Sequence, residues 1–164
     1  MKLGTLYGIG VGPGDPELIT VKGASLLSRC KHVCVPKART ASDSVALAIA
    51  SRYLNSDAIV HELVFPMTSD KDELASRWNG SARQVADVLQ SGENACFLTL
   101  GDPLLYSTYI YLLRALREHL LDVDVVTVPG ITAFSAAAAL TEFPVGEGKE
   151  PVTIVPTADA LTDI

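Results

Sequence analysis

The sequence predicts an α/β fold in which helices flank a five-stranded, mainly parallel sheet. Short apolar segments of strand length alternate along the chain with longer segments of helical period, which is typical of βαβ units. Glycine-proline turns follow three of the apolar segments, where a strand passes into a helix. Of the 164 residues, 48% are apolar and 20% are charged, which suits a core buried on both faces of such a sheet.

Five apolar segments are predicted as strands, and helical segments separate them along the chain. Parallel strands need crossover connections of this kind, so we expect the five strands to lie in one sheet. The predicted strands are Leu3 to Ile9, His32 to Val35, Ala58 to Val64, Ala95 to Leu100 and Val123 to Val128.

Two of the helices between these strands have clear sequence signals. The first begins at Asp15-Pro16-Glu17, which combines a capping carboxylate, a proline in the first helical position and an acid in the first turn, and it runs to about Arg29. The third covers Asp70 to Gln90, although Asn79-Gly80 weakens it midway. Its apolar residues recur at three- and four-residue spacing and predict one buried stripe: Leu74, Trp78, Ala82, Val85 and Leu89.

The remaining helices have weaker boundaries. The second is predicted from Ser44 to Leu54, entered through Ser42 or Asp43, and the fourth from about Leu104 to His119. After the fifth strand, "VPGITAFSAAAALTEFPV" combines a proline-glycine turn, a threonine cap and a run of small residues. This pattern predicts a further helix that packs closely against its surroundings.

The last part of the chain predicts the beginning of a second domain. "EGKEPVTIVPTADALTDI" supplies a polar connection, a short strand from Val152 to Val155 and the start of another helix. A lone strand cannot bury its faces, so we expect it to belong to a domain of which only the start is present. The predicted division is an N-terminal α/β domain over residues 1–128 and the truncated start of a second α/β domain over residues 129–164.

Charge and composition argue against several functions. The net charge of −6 leaves no basic stripe for nucleic acid. No run approaches the roughly 18 apolar residues of a membrane span and no signal-peptide pattern begins the chain, so we expect a cytoplasmic protein with no membrane partner. Cys30, Cys34 and Cys96 form no CxxC pair, which suits reduced, buried thiols. No metal site is predicted, because the three histidines show no ligand spacing.

The stretch "LYGIGVGPGDPELIT" holds glycine at four alternate positions: Gly8, Gly10, Gly12 and Gly14. A dinucleotide-binding G-x-G-x-x-G register from Gly8 would need glycine where Pro13 stands, and one from Gly10 would need glycine where Asp15 stands. Asp15 at the helix entrance would also repel a phosphate. The turn therefore suits a ligand without phosphate, or it is a tight turn alone.

Three glycine-proline turns are predicted to meet at one edge of the sheet. They are "GVGPGD" after the first strand, "LGDPLLYST" after the fourth and "VPGITAF" after the fifth. In open parallel sheets, ligands bind beyond the carboxyl ends of the strands. Gly101 and Gly130 would let the backbone approach a ligand, and Ser107, Thr108 and Thr132 offer hydroxyls. Such a site suits an adenosine or an amino acid; the alternative is three tight turns without a ligand.

Charged candidates in this region are few, and each has an ordinary structural alternative. Asp15 and Asp102 would lie in the cleft as candidate general bases, although aspartate beside proline is also usual turn chemistry. Lys37 and Arg39 in "VPKART" follow the second strand and could meet substrate carboxylates, or they belong to a solvated loop. The sequence holds no G-x-S-x-G elbow, no cysteine-histidine signature and no H-E-x-x-H.

In this order the three turns resemble those of the tetrapyrrole methylase family, S-adenosylmethionine-dependent enzymes of corrin and sirohaem synthesis and some relatives. The likeness covers nearly the whole chain and rests on "VGPGDPELITVKGASLL", "LTLGDPLLYSTY" and "VPGITAFSAAAA". Within the family, "VPKART", "ELVFPMTSDKDEL" with the following Trp78, and above all "GDPLLYSTYIYLLR" resemble one branch. That branch methylates C-20 of precorrin-2, or of its cobalt complex, on the way to cobalamin (vitamin B12).

The resemblance implies S-adenosylmethionine as cofactor, S-adenosylhomocysteine as product and a tetrapyrrole as substrate. Gly12, Gly14, Lys37 and Arg39 would contact the substrate, and Asp15 or Asp102 would accept its proton after methyl transfer. The residues that match cofactor-binding positions are Pro13, Leu100, Gly101, Asp102, Leu105, Thr132 and Ala133, joined by Ser107 and Thr108 from the branch-specific turn.

The resemblance also implies a homodimer and a complete second domain that forms the other side of the cofactor pocket. Methylation would be a direct displacement, in which an electron-rich carbon of the reduced tetrapyrrole attacks the sulfonium methyl and the protein aligns the groups. Two alternatives stay open. One is another precorrin or uroporphyrinogen methyltransferase of the same family, and the other is a non-catalytic ligand-binding α/β module.

Overall fold

The fold is given by a computed structural model that describes residues 2–37, 44–65 and 71–156. Five strands form one sheet and every neighbouring pair is parallel, so the predicted α/β architecture is confirmed. The strands are β1 (Thr5–Gly10), β2 (His32–Lys37), β3 (Ile59–Val64), β4 (Ala95–Thr99) and β5 (Asp124–Val128). Their order across the sheet is β3-β2-β4-β1-β5.

Five helices are found in the described residues. They are α1 (Val21–Leu27), α2 (Val45–Ala50), α3 (Lys71–Gln90), α4 (Tyr109–His119) and α5 (Ala133–Thr141). Short 3₁₀ turns, Pro16–Leu18 and Ser51–Tyr53, precede α1 and follow α2.

The sheet separates two buried apolar clusters, so the fold has three layers. One cluster joins Phe97 of β4 to Leu89 of α3 and Leu112 of α4. The other joins the opposite face of the sheet to Leu27 of α1 and Ile49 of α2. Because helices cover both faces, the turns beyond the carboxyl ends of the strands are left at an open edge.

The first predicted helix is divided into two elements. Asp15 caps the 3₁₀ turn, where its carboxylate accepts a hydrogen bond from the Glu17 N–H at 2.8 Å. Ile19 and Thr20 are then extended, and the Thr20 hydroxyl caps α1 by accepting from the Gly23 N–H at 3.1 Å. The predicted continuous helix was wrong, because a second capping residue starts a new element five residues after the first.

Two other helices differ from their predicted boundaries. The N-cap of α2 is Ser44, whose hydroxyl accepts from the Leu47 N–H at 3.3 Å, whereas Ser42 and Asp43 lie outside the described residues. Helix α4 begins at Tyr109 rather than near Leu104, because residues 102–108 form turns.

The long helix α3 matches its prediction closely. Asn79-Gly80 does not interrupt it. The second half of its predicted stripe, Ala82, Val85 and Leu89, is fully buried against the sheet and α4. Tertiary packing of this apolar face outweighs the low helix propensity of one glycine.

The predicted strand from Val152 to Val155 is wrong. Residues 151–155 pair with no strand among the described residues, and the side chains of Val152 and Ile154 are 55% and 46% exposed. An apolar alternating pattern does not form a strand where no neighbouring strand supplies hydrogen bonds. The assignment of residues 129–164 to the start of a second domain stays a prediction.

Candidate functional site

The three glycine-proline turns lie side by side at the carboxyl edge of the sheet. Strand β1 is paired on one side with β4 and on the other with β5, so the turns that follow these strands are neighbours. The backbone N–H of Gly101 donates to the Gly12 carbonyl at 2.8 Å, and the Gly12 N–H donates to the Gly101 carbonyl at 3.4 Å. The three turns therefore lie together at this edge, as predicted from the sequence.

Close backbone contact explains why glycines occupy these turns. A Cβ at Gly130 would overlap the carbonyl oxygen of Gly101 and lie 2.8 Å from the Cα of Gly10. Gly101 also has a φ of 65°, a left-handed conformation that L side chains rarely adopt. The glycines thus allow three turns to pack backbone against backbone, which is one of the two roles proposed from the sequence.

Asp102 connects the second and third turns. One carboxylate oxygen accepts from the Leu104 N–H at 2.8 Å, and the other accepts from the Gly130 N–H at 3.0 Å. Both oxygens therefore hold backbone groups at the edge of the site. Asp15 likewise accepts from a backbone N–H, so both candidate bases already hold backbone hydrogen bonds, and their role as proton acceptors stays a prediction.

A cavity of about 320 Å³ opens where the turns meet. Its lining is mostly apolar, and its polar side chains are those of Asp102, Tyr106 and Thr132. Seven of the nine residues predicted to hold the cofactor line it: Pro13, Leu100, Gly101, Asp102, Leu105, Thr132 and Ala133. The remaining lining residues were not predicted from the sequence: Tyr106, Phe134, Ile154, Val155 and Pro156.

The residues missed by sequence reasoning belong to two groups. Tyr106 and Phe134 lie within the quoted turns, next to predicted residues, so their position in the sequence could have identified them as lining residues. Ile154 and Val155 belong to the predicted strand and Pro156 follows it; only the path of this segment in the fold brings these three residues to the cavity.

Ser107 and Thr108 do not line this cavity. The hydroxyl of Ser107 is buried, where it lies 2.7 Å from the Thr99 hydroxyl and accepts from the Tyr109 N–H at 3.1 Å. Both residues instead border a second cavity of about 580 Å³, which also includes Arg114. Their predicted contact with the cofactor stays a prediction, but the Ser107 hydroxyl already has partners inside the protein.

Tyr106 stands between the two cavities and borders both. Its φ is 50°, which is unusual for an aromatic residue, and its side chain is largely exposed. Backbone strain of this kind often marks ligand-binding positions. Tyr106 is therefore a candidate contact residue that the sequence-based prediction did not include.

Three of the four predicted substrate-binding residues lie in the described part of the chain, at the carboxyl ends of β1 and β2. Gly12 is buried with a φ of 80°, whereas Gly14 is exposed and a Cβ there would meet no atom within 4 Å. The Lys37 ammonium lies 2.6 Å from the Glu62 carboxylate on the neighbouring strand, so its charge is partly neutralised. Arg39 lies outside the described residues.

Comparison with known proteins agrees with these turns and this fold. The model of the family described as Tetrapyrrole (Corrin/Porphyrin) Methylases matches residues 5–164. The chain belongs to this family. The resemblance inferred from the three turns is thereby confirmed.

Several relatives of this tetrapyrrole methylase carry names from one branch. The chain is 36% identical to the probable cobalt-precorrin-2 C(20)-methyltransferase of Methanocaldococcus jannaschii, over 95% of this chain and 65% of that protein. It is 35% identical to the cobalt-precorrin-2 C(20)-methyltransferase of Salmonella typhimurium, over 93% of this chain and 63% of that protein. The chain therefore spans slightly less than two thirds of the length of these two relatives.

Solved structures place this tetrapyrrole methylase in the same fold. A cobalt precorrin-4 methyltransferase superposes with a TM-score of 0.67 at 28% identity, over 91% of this chain and 55% of that one. Among residues 2–37, 44–65 and 71–156, no helix has the length and apolar character needed to cross a bilayer.

Proposed function

We propose that this chain carries the methyl-donor site of an S-adenosylmethionine-dependent C-methyltransferase. The acceptor is C-20 of precorrin-2 or cobalt-precorrin-2, in cobalamin biosynthesis. The observation that carries the proposal is the cavity at the carboxyl edge of the sheet, which collects seven predicted cofactor residues from three turns. The names of the two relatives at 35–36% identity support the choice of the C-20 branch.

The cavity fits the chemical character of S-adenosylmethionine. No lysine or arginine is found among its described lining residues, so it does not suit a phosphate, which proteins usually meet with cations. S-adenosylmethionine carries no phosphate, and its sulfonium is a cation that the nearby Asp102 carboxylate would favour. When bound, this cofactor supplies an electrophilic methyl group.

Each part of the cavity has a separate role in this proposal. Leu105 and Pro13 provide apolar contact. The Gly101 backbone is already paired with Gly12, so polar orientation falls to the Thr132 hydroxyl, which lies 2.9 Å from the Ser135 hydroxyl and keeps a lone pair for a ligand. Asp102 holds the turns at a fixed separation through its two backbone contacts. Together they keep the ligand aligned, which is the main contribution that a direct displacement requires.

The tetrapyrrole acceptor is expected on the open side of the same edge. Exposed Gly14 and the buried turn at Gly12 would face it, and Lys37 and Arg39 would meet its carboxylates. Substrate carboxylates would compete with Glu62 for the Lys37 ammonium. Proton acceptance by Asp15 or Asp102 after methyl transfer belongs to the same proposal, as do a homodimer and a cytoplasmic location implied by the resemblance.

Transfer of labelled methyl tests the proposal. The chain, and in parallel the longest form that its gene encodes, is incubated with isotopically labelled S-adenosylmethionine and with precorrin-2, metal-free or cobalt-loaded. NMR then locates the label. Label at C-20 supports the proposal, and the better substrate identifies the pathway.

Other results would favour the two alternatives. Label at a different ring position would keep a methyltransferase of this family and reject the C-20 branch; precorrin-4 C(11)-methyltransferases are also relatives, at 29% and 32% identity. Absence of label with S-adenosylhomocysteine still bound, in the longest form, would favour a ligand-binding module.

A further inference from the structure

The second cavity, of about 580 Å³, lies directly beside the cavity at the carboxyl edge of the sheet. The turn after β4 and the first half of α4 border it. Leu105 and Tyr106 border both cavities, so a ligand in one would lie next to a ligand in the other. The other lining residues are Leu104, Ser107, Thr108, Ile110, Tyr111 and Arg114.

The second cavity has a cation in its lining, which the first does not. Arg114 is the one charged residue among the described residues that line it. No carboxylate in residues 2–37, 44–65 and 71–156 forms a salt bridge with Arg114. Glu118, one helical turn further along α4, borders a separate groove between α3 and α4 instead. An anionic ligand in the second cavity would therefore meet a positive charge, with no acid in the described lining.

The geometry of α4 directs Arg114 toward this cavity. Ile110 and Tyr111 stand four and three residues before Arg114, so the three side chains share one face of the helix. Side chains of an α-helix lean toward its N-terminus. The long Arg114 side chain therefore extends back toward the turn that precedes α4.

Thr108 adds a hydroxyl to the same lining. It is the N-cap residue of α4, but its side chain makes no capping hydrogen bond. The Ser107 hydroxyl instead accepts from the Tyr109 N–H at 3.1 Å. A guanidinium and a hydroxyl that border one cavity suit a carboxylate, which can accept hydrogen bonds from both.

The rest of the lining suits a large ring with an apolar face. Leu104, Tyr106 and Tyr111 are 59%, 66% and 42% exposed, so their side chains offer uncovered apolar and aromatic surface beside Arg114. Aromatic side chains contribute large contact areas to binding sites. The cavity thus combines an apolar wall with one cationic group.

We propose that the second cavity binds one edge of the tetrapyrrole acceptor, and that Arg114 pairs with one of its carboxylates. This inference rests on the proposed function, which supplies the acceptor: a macrocycle with acetate and propionate side chains. A chain with a net charge of −6 needs local cations to hold such a ligand. The shared wall at Leu105 and Tyr106 would bring the acceptor next to the methyl donor, as a direct displacement requires.

Methyl-transfer kinetics with cobalt-precorrin-2 test the site, in the chain and in the longest form that its gene encodes. Arg114→Gln should raise the KM for the acceptor by roughly 10-fold or more, because a hydrogen bond to a charged group is lost. The affinity for S-adenosylhomocysteine should not change. Arg114→Lys keeps the charge but not the planar fork of donors, so its KM should lie between those of the other two proteins.

Arg117→Gln is the matched control. Arg117 is on the same helix and exposed like Arg114, but it lines neither cavity. Its replacement removes the same charge, so the acceptor KM should stay unchanged. Melting temperatures check that both variants fold. An equal rise of KM in Arg114→Gln and Arg117→Gln would overturn the proposal, because net charge would then explain the effect.

Titration with uroporphyrin III, a stable tetrapyrrole with carboxylate side chains, separates this inference from methyl transfer because it needs no turnover. Quenching of its fluorescence should show binding that is roughly 10-fold weaker in Arg114→Gln and unchanged in Arg117→Gln. If this difference is found but no tetrapyrrole is methylated, the proposed function is wrong and the binding site stands. If methyl transfer proceeds with the same acceptor KM in Arg114→Gln as in the unmodified chain, the site is wrong and the proposed function stands.

Discussion

The carboxylate of Asp102 accepts a hydrogen bond from the backbone N–H of Gly130 at 3.0 Å, across 28 residues of sequence. This contact joins the turn after β4 to the turn after β5. Since the same carboxylate also holds the Leu104 N–H, one side chain sets the separation of two walls of the cavity. The shape of the site therefore depends on a residue whose two carboxylate oxygens both accept from backbone N–H groups.

Asp102→Asn should weaken the site and the fold together. The amide keeps one acceptor oxygen and presents an N–H₂ where the second was, so the Gly130 N–H or the Leu104 N–H loses its partner. Loss of one hydrogen bond to a charged group predicts a decrease of about 1.5–3 kcal/mol in the free energy of unfolding. Urea denaturation measures this change, and S-adenosylhomocysteine titration measures the accompanying loss of affinity.

Asp15→Asn is the matched control for that variant. Asp15 accepts only one backbone N–H, that of Glu17, and asparagine is an equally good N-cap, so stability should hardly change. If the two variants lose the same stability, the contact between Asp102 and Gly130 does not carry the effect.

Gly130→Ala should be strongly destabilising. Its Cβ would overlap the Gly101 carbonyl, which is backbone and cannot rotate away, so the turns must separate. We expect a loss of about 3 kcal/mol or more, at the upper end of the range for overpacked sites. Gly80→Ala on α3 is the opposite control: no heavy atom lies within 4 Å of its added Cβ, and helix propensity predicts a gain of about 0.5–1 kcal/mol. Equal melting temperatures for Gly130→Ala and Gly80→Ala would contradict the packing argument.

Ala133→Leu should reduce affinity for S-adenosylhomocysteine by filling part of the cavity at the start of α5. Ala139→Leu adds the same atoms to an exposed position of the same helix that does not line the cavity. Calorimetric titration of both variants should show weaker binding only in the first. Unchanged affinity in Ala133→Leu would place the ligand elsewhere.

Stability should fall at alkaline pH through Cys34. Burial raises the pKa of this thiol to about 12, whereas in the unfolded chain it ionises near the ordinary value of about 8.5. The unfolded state therefore releases a proton that the folded state keeps, so this contribution to stability is complete below about pH 8.5 and is lost progressively up to about pH 12. Each pH unit in that window costs about 1.4 kcal/mol per group.

Urea denaturation of the reduced protein at pH 8 and pH 10 checks this slope. Burial also raises the pKa of Tyr109, which adds to the loss at the upper end of the window in every variant. In Cys34→Ala, the free energy of unfolding should fall less steeply with pH, and the difference in slope should correspond to about one proton. This holds whatever the effect of the substitution on stability at pH 8. Parallel pH dependence in the two proteins would show that Cys34 does not ionise differently on unfolding.

Local sequence patterns predicted much of the fold because their causes are local. Apolar runs marked the five strands, and three- and four-residue spacing marked α3. A predicted helix boundary was wrong where two capping signals follow one another in the sequence. Asp15 caps a 3₁₀ turn, and Thr20 then caps α1. The interpretation of Val152 to Val155 as a strand failed because strand formation requires a partner that the pattern itself does not contain.

The sequence by itself determined the five strands of the sheet, the period of α3 and the three glycine-proline turns, because each depends on residues close together in the chain. Only the tertiary structure decided what those residues meet. In the fold, the Ser107 hydroxyl contacts that of Thr99, and the Asp102 carboxylate accepts from the Gly130 N–H. Residues 154–156 line the cavity, and the His32 ring contacts the His61 ring. The order and register of the strands create these contacts, and both follow from burying the whole sheet between two helical layers, which is a property of the complete fold.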